Sequence, residues 1–528
     1  MKSMLAAASL CVLLALPACA QPMVSDTDFD RVTRRVDDLM DQMIAQDGFA
    51  PGSIVVVSTA DGRRWVRADG VLNVETGAEA TADSQFYIAS MTKAYMGLLA
   101  QRLHEEGVLS LDAVLTDFWR GLELPDGRDA SAITLRDLIT HKIAIEVDEI
   151  VTLEAYIRDV APEEYPGLIE EYAVLRETGF QYDNLGYNIY GAVLEQHTGR
   201  NWRNWLDDAL FSPNGMSGTS GRVSDFDPAT LAWGHQADTG IAPVWPTVGG
   251  WYMIPPKTDG MMQAAGGLMT TGNDLATWMT MHLSQSGNGF TPSMFEQAHY
   301  QRADQEGDGH GFTCDGYSFG WNNCQLIHEL ETAEGTIPAP TQLLQHGGGY
   351  TGYASLVTMA PDMGIGVAVA FNTDGAINFA GNEISKTVFE AMLDLQGMDE
   401  RATARVTRMG QFGPRISSIR QGRMEEAMAE ERWGTGGWSP DTAELQEFVG
   451  EFEAENWIST IDIRMENGAL RSWTHDLSRY LVPVSADIFA AFADGSYPPE
   501  QITILRNAEG EIIGLNWDDD VFEKTGSN

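Results

Sequence analysis

Phe86-Tyr87-Ile88-Ala89-Ser90-Met91-Thr92-Lys93 is an apolar, strand-forming run that passes directly into a helical pattern spanning Met91 to Leu103. Ser90 stands at the junction. A serine at the first turn of a helix feels the positive end of the helix dipole, and a lysine three residues on lies on the same face, within reach of its hydroxyl. Ser90-Met91-Thr92-Lys93 is the only S-x-x-K in the chain. A serine hydroxyl is a poor nucleophile at neutral pH unless a neighbouring base takes its proton, and a partly buried lysine with a depressed pKa can be that base. The same residues also fit a capping serine followed by a solvent-facing lysine, so the pair needs partners elsewhere in the sequence.

Two further motifs supply them. Tyr182-Asp183-Asn184, the only Y-x-N in the chain, opens a helix predicted over Leu185 to Gln196. A phenol near an ammonium loses its proton more readily, so Tyr182 can act as base toward Ser90 and acid toward a leaving group. The Asn184 amide offers a donor to a substrate carbonyl and an acceptor to Lys93. The plainer reading is a packed tyrosine beside an Asx turn. A third motif, Lys/His-x-Gly, occurs as His197-Thr198-Gly199, His346-Gly347-Gly348 and Lys524-Thr525-Gly526. His197 ends a helix and Lys524 lies in the last residues, which are expected to fray. His346 instead leads through Gly347, Gly348 and Gly349 toward a strand at Tyr353 to Met359, where glycines let a substrate backbone lie along a sheet edge. There the amides of Gly349 and Ser90 would form an oxyanion hole.

Around these motifs the pattern alternates between sheet and helix. Val32, Val36, Leu39, Met40 and Met43 recur at helical spacing within Asp28 to Ala45. Ser53 to Ser58, Asp61-Gly62 and Trp65 to Arg67 read as a hairpin. A largely helical middle section runs to about Gly260, followed by a helix at Asp274 to Met279 capped by Thr271 or Asn273. Strands at Tyr353 to Met359 and Ile365 to Phe371 then lead to a helix at Ala380 to Leu393. Residues 401–440, charged and then rich in Gly and Trp, read as a linker. From Leu445 short alternating runs, broken by Asn467-Gly468 and Glu509-Gly510, predict a small β-barrel or sandwich.

The order and context of Ser90/Lys93, Tyr182/Asn184 and His346/Gly348 resemble the β-lactamase-related serine hydrolases, a group that includes class C β-lactamases, D-Ala-D-Ala carboxypeptidases, D-aminopeptidases and related esterases. Pro51-Gly52, Leu109-Ser110-Leu111-Asp112, Ile133 to Leu138 and Gly267 to Asp274 resemble its recurring blocks as well. The resemblance covers Phe29 to Leu395 and implies an α/β (α+β) fold, an antiparallel sheet flanked by helices with a helical lobe. The tail is similar to the lipocalin-like, all-β barrel domain appended to many such hydrolases. The implied division is a signal peptide over 1–20, a hydrolase domain over 28–400, a linker over 401–440 and the β-domain over 441–528. Ser90 would be the acylated nucleophile, Lys93 its proton partner, Tyr182 the base and acid, and Asn184, His346, Gly348 and Gly349 the substrate contacts. Two departures stand out. His346 replaces the lysine of the Lys-Thr-Gly motif, which weakens the case for anionic β-lactams because an imidazole is mostly neutral near pH 7. The Leu-Leu-Thr-His-Thr-Ser-Gly-Leu block is altered to Leu138-Ile139-Thr140-His141-Lys142-Ile143-Ala144-Ile145, and His141 reads as structural.

Composition sets the outer limits. The 528 residues carry a formal charge of -43, which repels nucleic acid and anionic lipid surfaces. Lys2, the apolar run Met4 to Leu16 and Ala18-Cys19-Ala20 have the parts of a secretory signal. Cleavage after Ala20 competes with a lipid anchor at Cys19, and both outcomes export the chain to the periplasm or beyond. Cys314 and Cys324 are then candidates for a disulfide. No second Cys or His pair lies at zinc-site spacing beside them, so no structural metal is expected, and a serine mechanism calls for no organic cofactor. The expected reaction is acyl transfer to water through a Ser90 ester, on an ester or small amide such as a D-amino-acid peptide. The alternatives are a true β-lactamase or D-Ala-D-Ala carboxypeptidase, and a non-catalytic sensor of cell-wall fragments.

Overall fold

The computed structural model describes residues 23–526 apart from 47, 238–247, 306, 310–311, 333–334, 375–376, 431–432, 434–437, 455–459, 467, 475–476, 493–498 and 518–519. The signal reading of residues 1–20 lies outside the described residues.

Helix α1 (Asp26–Ile44) buries Val32, Val36, Leu39, Met40 and Met43, and Ser25 caps it by accepting from the Asp28 amide. β1 (Gly52–Thr59) and β2 (Arg64–Asn73) form the expected antiparallel hairpin. Every residue of β1 is buried, because both faces of the sheet are covered. Ile54 and Val56 join the larger core. Val55 and Val57, on the other face, join a second core that includes the buried side of α1. This is the period-two alternation of a strand sandwiched between helical layers.

The elements that hold the site follow. β3 (Phe86–Tyr87) pairs only with β4 (Met269–Thr270). A 3-10 turn, Ala89–Met91, joins β3 to α2 (Thr92–Glu105). The middle section is mostly helical, as expected, with α3 (Leu185–Thr198) at its centre and two short hairpins, Ile145–Glu146 with Val174–Leu175 and Gly234–Ala237 with Trp251–Ile254. The short α4 (Gln263–Gly266) precedes β4, and α5 (Gly272–Ser284) follows it with Thr271 as its cap.

β5 (Phe312–Tyr317), β6 (Asn322–Thr332), β7 (Gly335–Tyr350), β8 (Tyr353–Ala360) and β9 (Ile365–Phe371) complete the main sheet. It has ten strands, with the path running β5-β6-β7-β8-β9-β1-β2 and two-residue strands at the margins. These neighbours are antiparallel throughout. A disulfide joins Cys314 on β5 to Cys324, its partner in register on β6. α6 (Ile377–Met392) packs on the side of α1. The fold is therefore an antiparallel sheet flanked by helices with a helical lobe, as the sequence implies.

Two expectations change. Residues 401–440 hold most of a 31-residue helix, α7 (Met398–Met428). Its Arg405, 4% exposed, forms ion pairs with Glu383 and Glu390 of α6. Gly410, Gly413 and Pro414 conceal the helix from a composition-based reading. Nor does Lys524 fray: Asp520–Gly526 pairs with Gly450–Glu453 and Ile512–Trp517, and so closes an eight-stranded barrel. The Lys524 ammonium donates to the Glu447 carbonyl at 3.1 Å, which places Lys524-Thr525-Gly526 in the barrel. Phe452, Leu470, Phe489, Ile502, Leu515 and Phe522 contribute to the barrel's own core. Among the described residues, no helix is long and apolar enough to cross a membrane.

Candidate active site

The turn that presents Ser90 is strained. Ile88 leaves β3 at φ -111°, ψ 0°, and Ala89 sits at φ 44°, a left-handed conformation that costs a non-glycine residue on the order of 1–3 kcal/mol. Neither the 3-10 turn nor α2 takes a side-chain cap, so Ser90 is not a capping serine. Its hydroxyl instead receives a hydrogen bond from Lys93 Nζ at 3.1 Å.

Lys93 is 0% exposed. Its Nζ also donates to Asn184 Oδ1 at 2.7 Å and to the Ala265 carbonyl at 2.8 Å. It lies 5.1 Å from the Tyr182 ring centroid and 5.7 Å from that of Tyr187. Burial drives its pKa down from 10.5 to about 7, opposed by the Asp183 carboxylate. Desolvation wins because no carboxylate touches the ammonium and its acceptors, one hydroxyl and two carbonyl oxygens, are neutral. Asn184, at the start of α3, has no capping role. It is Asp183 whose Oδ1 accepts from the Leu185 amide at 2.8 Å, and Asp183 is also ion-paired with Arg176 at 2.9 Å.

Tyr182 is 46% exposed as a residue, with its ring over Lys93. Burial of its phenol raises the pKa, opposed by a hydrogen bond with Ser90 and reinforced by Asp183. The expected easing of its deprotonation by the neighbouring lysine does not figure among these effects, and burial pushes the lysine itself toward neutrality. The phenol keeps its proton at neutral pH.

His141 clamps the tyrosine loop from behind. Its carbonyl accepts from the Gln181 amide at 2.8 Å and its Nδ1 accepts from the Asp183 amide at 3.2 Å. Its ring centroid is 4.5 Å from that of Tyr182 and 4.8 Å from that of Tyr317. Burial, then Lys93 and His346, holds His141 well below the usual histidine range. It is uncharged and occupies a left-handed backbone position at φ 55°. His141 was visible in the sequence as an altered block, but its contact with Tyr182 was not.

His346 lies on β7 and is 2% exposed. Its Nε2 is 3.1 Å from the Tyr317 hydroxyl and its Nδ1 is 2.7 Å from the Gly347 carbonyl, with its ring 6.0 Å from that of Tyr182. The imidazole thus backs the tyrosine rather than facing open space. The two glycines beyond it differ. A Cβ on Gly348 would meet the Ile88 carbonyl oxygen at 2.0 Å, whereas one on Gly349 would meet nothing within 4 Å. Gly348 therefore lets β7 approach the turn that carries Ser90, and Gly349 borders free space. Tyr317, Tyr187, Asp183 and the Ala265 carbonyl complete the surroundings. Sequence reasoning missed Tyr317 and Ala265, the first because a lone tyrosine carries no motif and the second because it acts through its backbone. Among the described residues, no cluster of His, Cys, Asp and Glu could hold a metal.

The Beta-lactamase family model matches residues 36–385. The chain belongs to the Beta-lactamase family. It is 26% identical over 333 residues to penicillin-binding protein 4 of Amycolatopsis lactamdurans, a match covering 62% of this chain and 81% of that protein. It is 22% identical over 371 residues to unguisins hydrolase ungD' of Aspergillus campestris, covering 65% of this chain and 62% of that one. Two solved structures share the Beta-lactamase-family fold at low identity. D-amino acid amidase from Ochrobactrum anthropi SV3, complexed with D-phenylalanine, aligns at TM-score 0.57 and 18% identity over 69% of this chain and 99% of that chain. The octameric penicillin-binding protein homologue from Pyrococcus abyssi aligns at TM-score 0.54 and 17% identity, covering 93% of this chain and 100% of that one. A hydrolase of the Beta-lactamase family therefore accounts for the fold, and the convergence on Ser90 lies inside the matched region.

Proposed function

We propose that the chain is an exported serine hydrolase that cleaves an ester or small amide through a Ser90 acyl-enzyme. The observation that carries the proposal is the set of contacts at Lys93 Nζ. Asn184 Oδ1 and the Ala265 carbonyl can only accept, whereas the Ser90 hydroxyl can also donate. A neutral amine uses its two N–H bonds on the carbonyl oxygens and leaves its lone pair for the Ser90 proton, so the base is oriented before substrate arrives.

The steps follow. Lys93 takes the Ser90 proton as Oγ attacks the substrate carbonyl, and the amides of Ser90 and Gly349 hold the oxyanion. Tyr182, protonated at rest, gives its proton to the departing alcohol or amine and recovers one from Lys93. Water then repeats the sequence on the Ser90 ester, which releases the acid. His346, in place of an ammonium, removes a fixed charge from the pocket wall, which favours neutral esters and amides over anionic β-lactams. D-amino-acid derivatives are the amides proposed, by analogy with the amidase of the same fold. Export is supported by the Cys314–Cys324 disulfide, a bond typical of oxidising compartments.

The test compares the purified protein with Ser90→Ala against short-chain nitrophenyl esters, D-alanyl nitroanilide and nitrocefin. Turnover of an ester or D-alanyl amide should exceed that of nitrocefin, and the variant should lose about 10³-fold or more. Full activity in the variant refutes the mechanism, and preferential turnover of nitrocefin refutes the substrate class.

A further inference from the structure

Behind the Ser90 site, and sharing none of Ser90, Lys93, Tyr182 or Asn184, lies a cavity of about 310 Å³ lined by residues that include Glu154, Asp159, Glu195, Asn188, Trp202 and Gln263. One face of α3 forms a wall, with Asn188, Gly191, Ala192 and Glu195 following helical spacing. Among the described residues, the cations that act on its carboxyl groups Glu154 and Asp159 are Arg203 and Arg158, and Arg158 is committed to Glu164 at 2.7 Å. Acidity alone would not make a site. Glu154, however, is 1% exposed, with one oxygen held by the Tyr165 hydroxyl and Oε2 buried without a hydrogen-bond partner. A buried polar atom left unpaired costs about 1–3 kcal/mol, and here it belongs to a residue that lines the cavity.

We propose that this cavity is a binding site for a small organic ammonium compound, whose N–H donors would be shared between Glu154 Oε2 and the carboxylates of Asp159 and Glu195. The ammonium supplies the donors that Glu154 lacks, and the cavity has room for a short carbon chain beside Trp202 and Ala192. Burial raises Glu154 to about 8, so at neutral pH an arriving cation displaces its proton. The cavity also adjoins the segment that orders Lys93. Ala264 lines it next to Ala265, Asn188 Oδ1 accepts from the Ala265 amide at 3.1 Å, and the Glu154 carbonyl accepts from the Met262 amide at 2.5 Å.

The test is calorimetric titration of the intact protein with n-butylammonium chloride against a sodium chloride control of equal ionic strength, in two buffers of different ionisation enthalpy. It needs no turnover and is independent of the hydrolase reading. The expected result is saturable binding with proton release near pH 7, weakened about ten-fold or more in Glu154→Gln and in Ala192→Leu, which adds bulk to the cavity wall formed by α3. Absence of saturable binding to the unaltered protein, or binding unchanged in both variants, overturns the proposal.

Discussion

At the scale of single residues the account rests on Lys93 being neutral when it meets Ser90. A lysine brought down to about 7 by burial is mostly ammonium below that pH and mostly free amine above it. The kcat/KM of ester hydrolysis should therefore fall about ten-fold per unit on the acid side of about pH 7 and level off above it. Asp183 opposes the fall of the lysine pKa. Asp183→Asn should therefore move this limb to lower pH, while also weakening the Tyr182 loop through loss of the Arg176 ion pair. A limb that stays in place in Asp183→Asn, or moves upward, contradicts the electrostatic assignment. Much of this site was legible beforehand, because S-x-x-K and Y-x-N are short spacings on elements whose periodicity is plain. What escaped was the enclosure of the Tyr182 phenol and the setting of His346. Both depend on residues remote in sequence, His141 and Tyr317, that meet only after the helical lobe folds onto the sheet.

At the scale of elements the decisive contact is β7 against the turn that follows β3. Gly348 permits it, since any Cβ there collides with the Ile88 carbonyl, whose oxygen also accepts from Ser355 Oγ at 2.8 Å. Gly348→Ala should destabilise the fold by about 1–3 kcal/mol and depress activity by shifting Ser90. Gly349→Ala, with open space around its Cβ, should melt like the parent. Thermal unfolding followed by circular dichroism separates the two, and equal melting of both variants would refute the packing argument. Elements bounded by strong signals matched the sequence closely, as with α1, the β1–β2 hairpin and α5 with its Thr271 cap. Those that went unread owe their form to neighbours. α7 is a helix despite Gly410, Gly413 and Pro414, with Arg405 anchored on two carboxylates of α6. The last strand is ordered by barrel closure, a long-range pairing that local composition does not encode.

At the scale of the whole molecule, the described residues form hydrophobic cores that do not cross from the catalytic part to the barrel. The clusters flanking the main sheet end at Val406, and those of the barrel begin at Trp433. Calorimetry should accordingly resolve two unfolding transitions rather than one, since cooperativity follows shared cores, and a single transition with matched van't Hoff and calorimetric enthalpies would contradict this. The surplus of carboxylates, 76 Asp and Glu against 33 Lys and Arg, leaves the buried Lys93 as a local exception to an acidic chain. The central claim is that this lysine, with Tyr182 and Asn184, makes one hydroxyl reactive. The most direct measurement is rapid-quench mass spectrometry during turnover of a slowly deacylated ester, with the adduct mapped by peptide sequencing. The account predicts an acyl group on the peptide containing Ser90, accumulating in the parent and absent in Lys93→Met. An adduct on any other residue, or undiminished acylation in Lys93→Met, would contradict it.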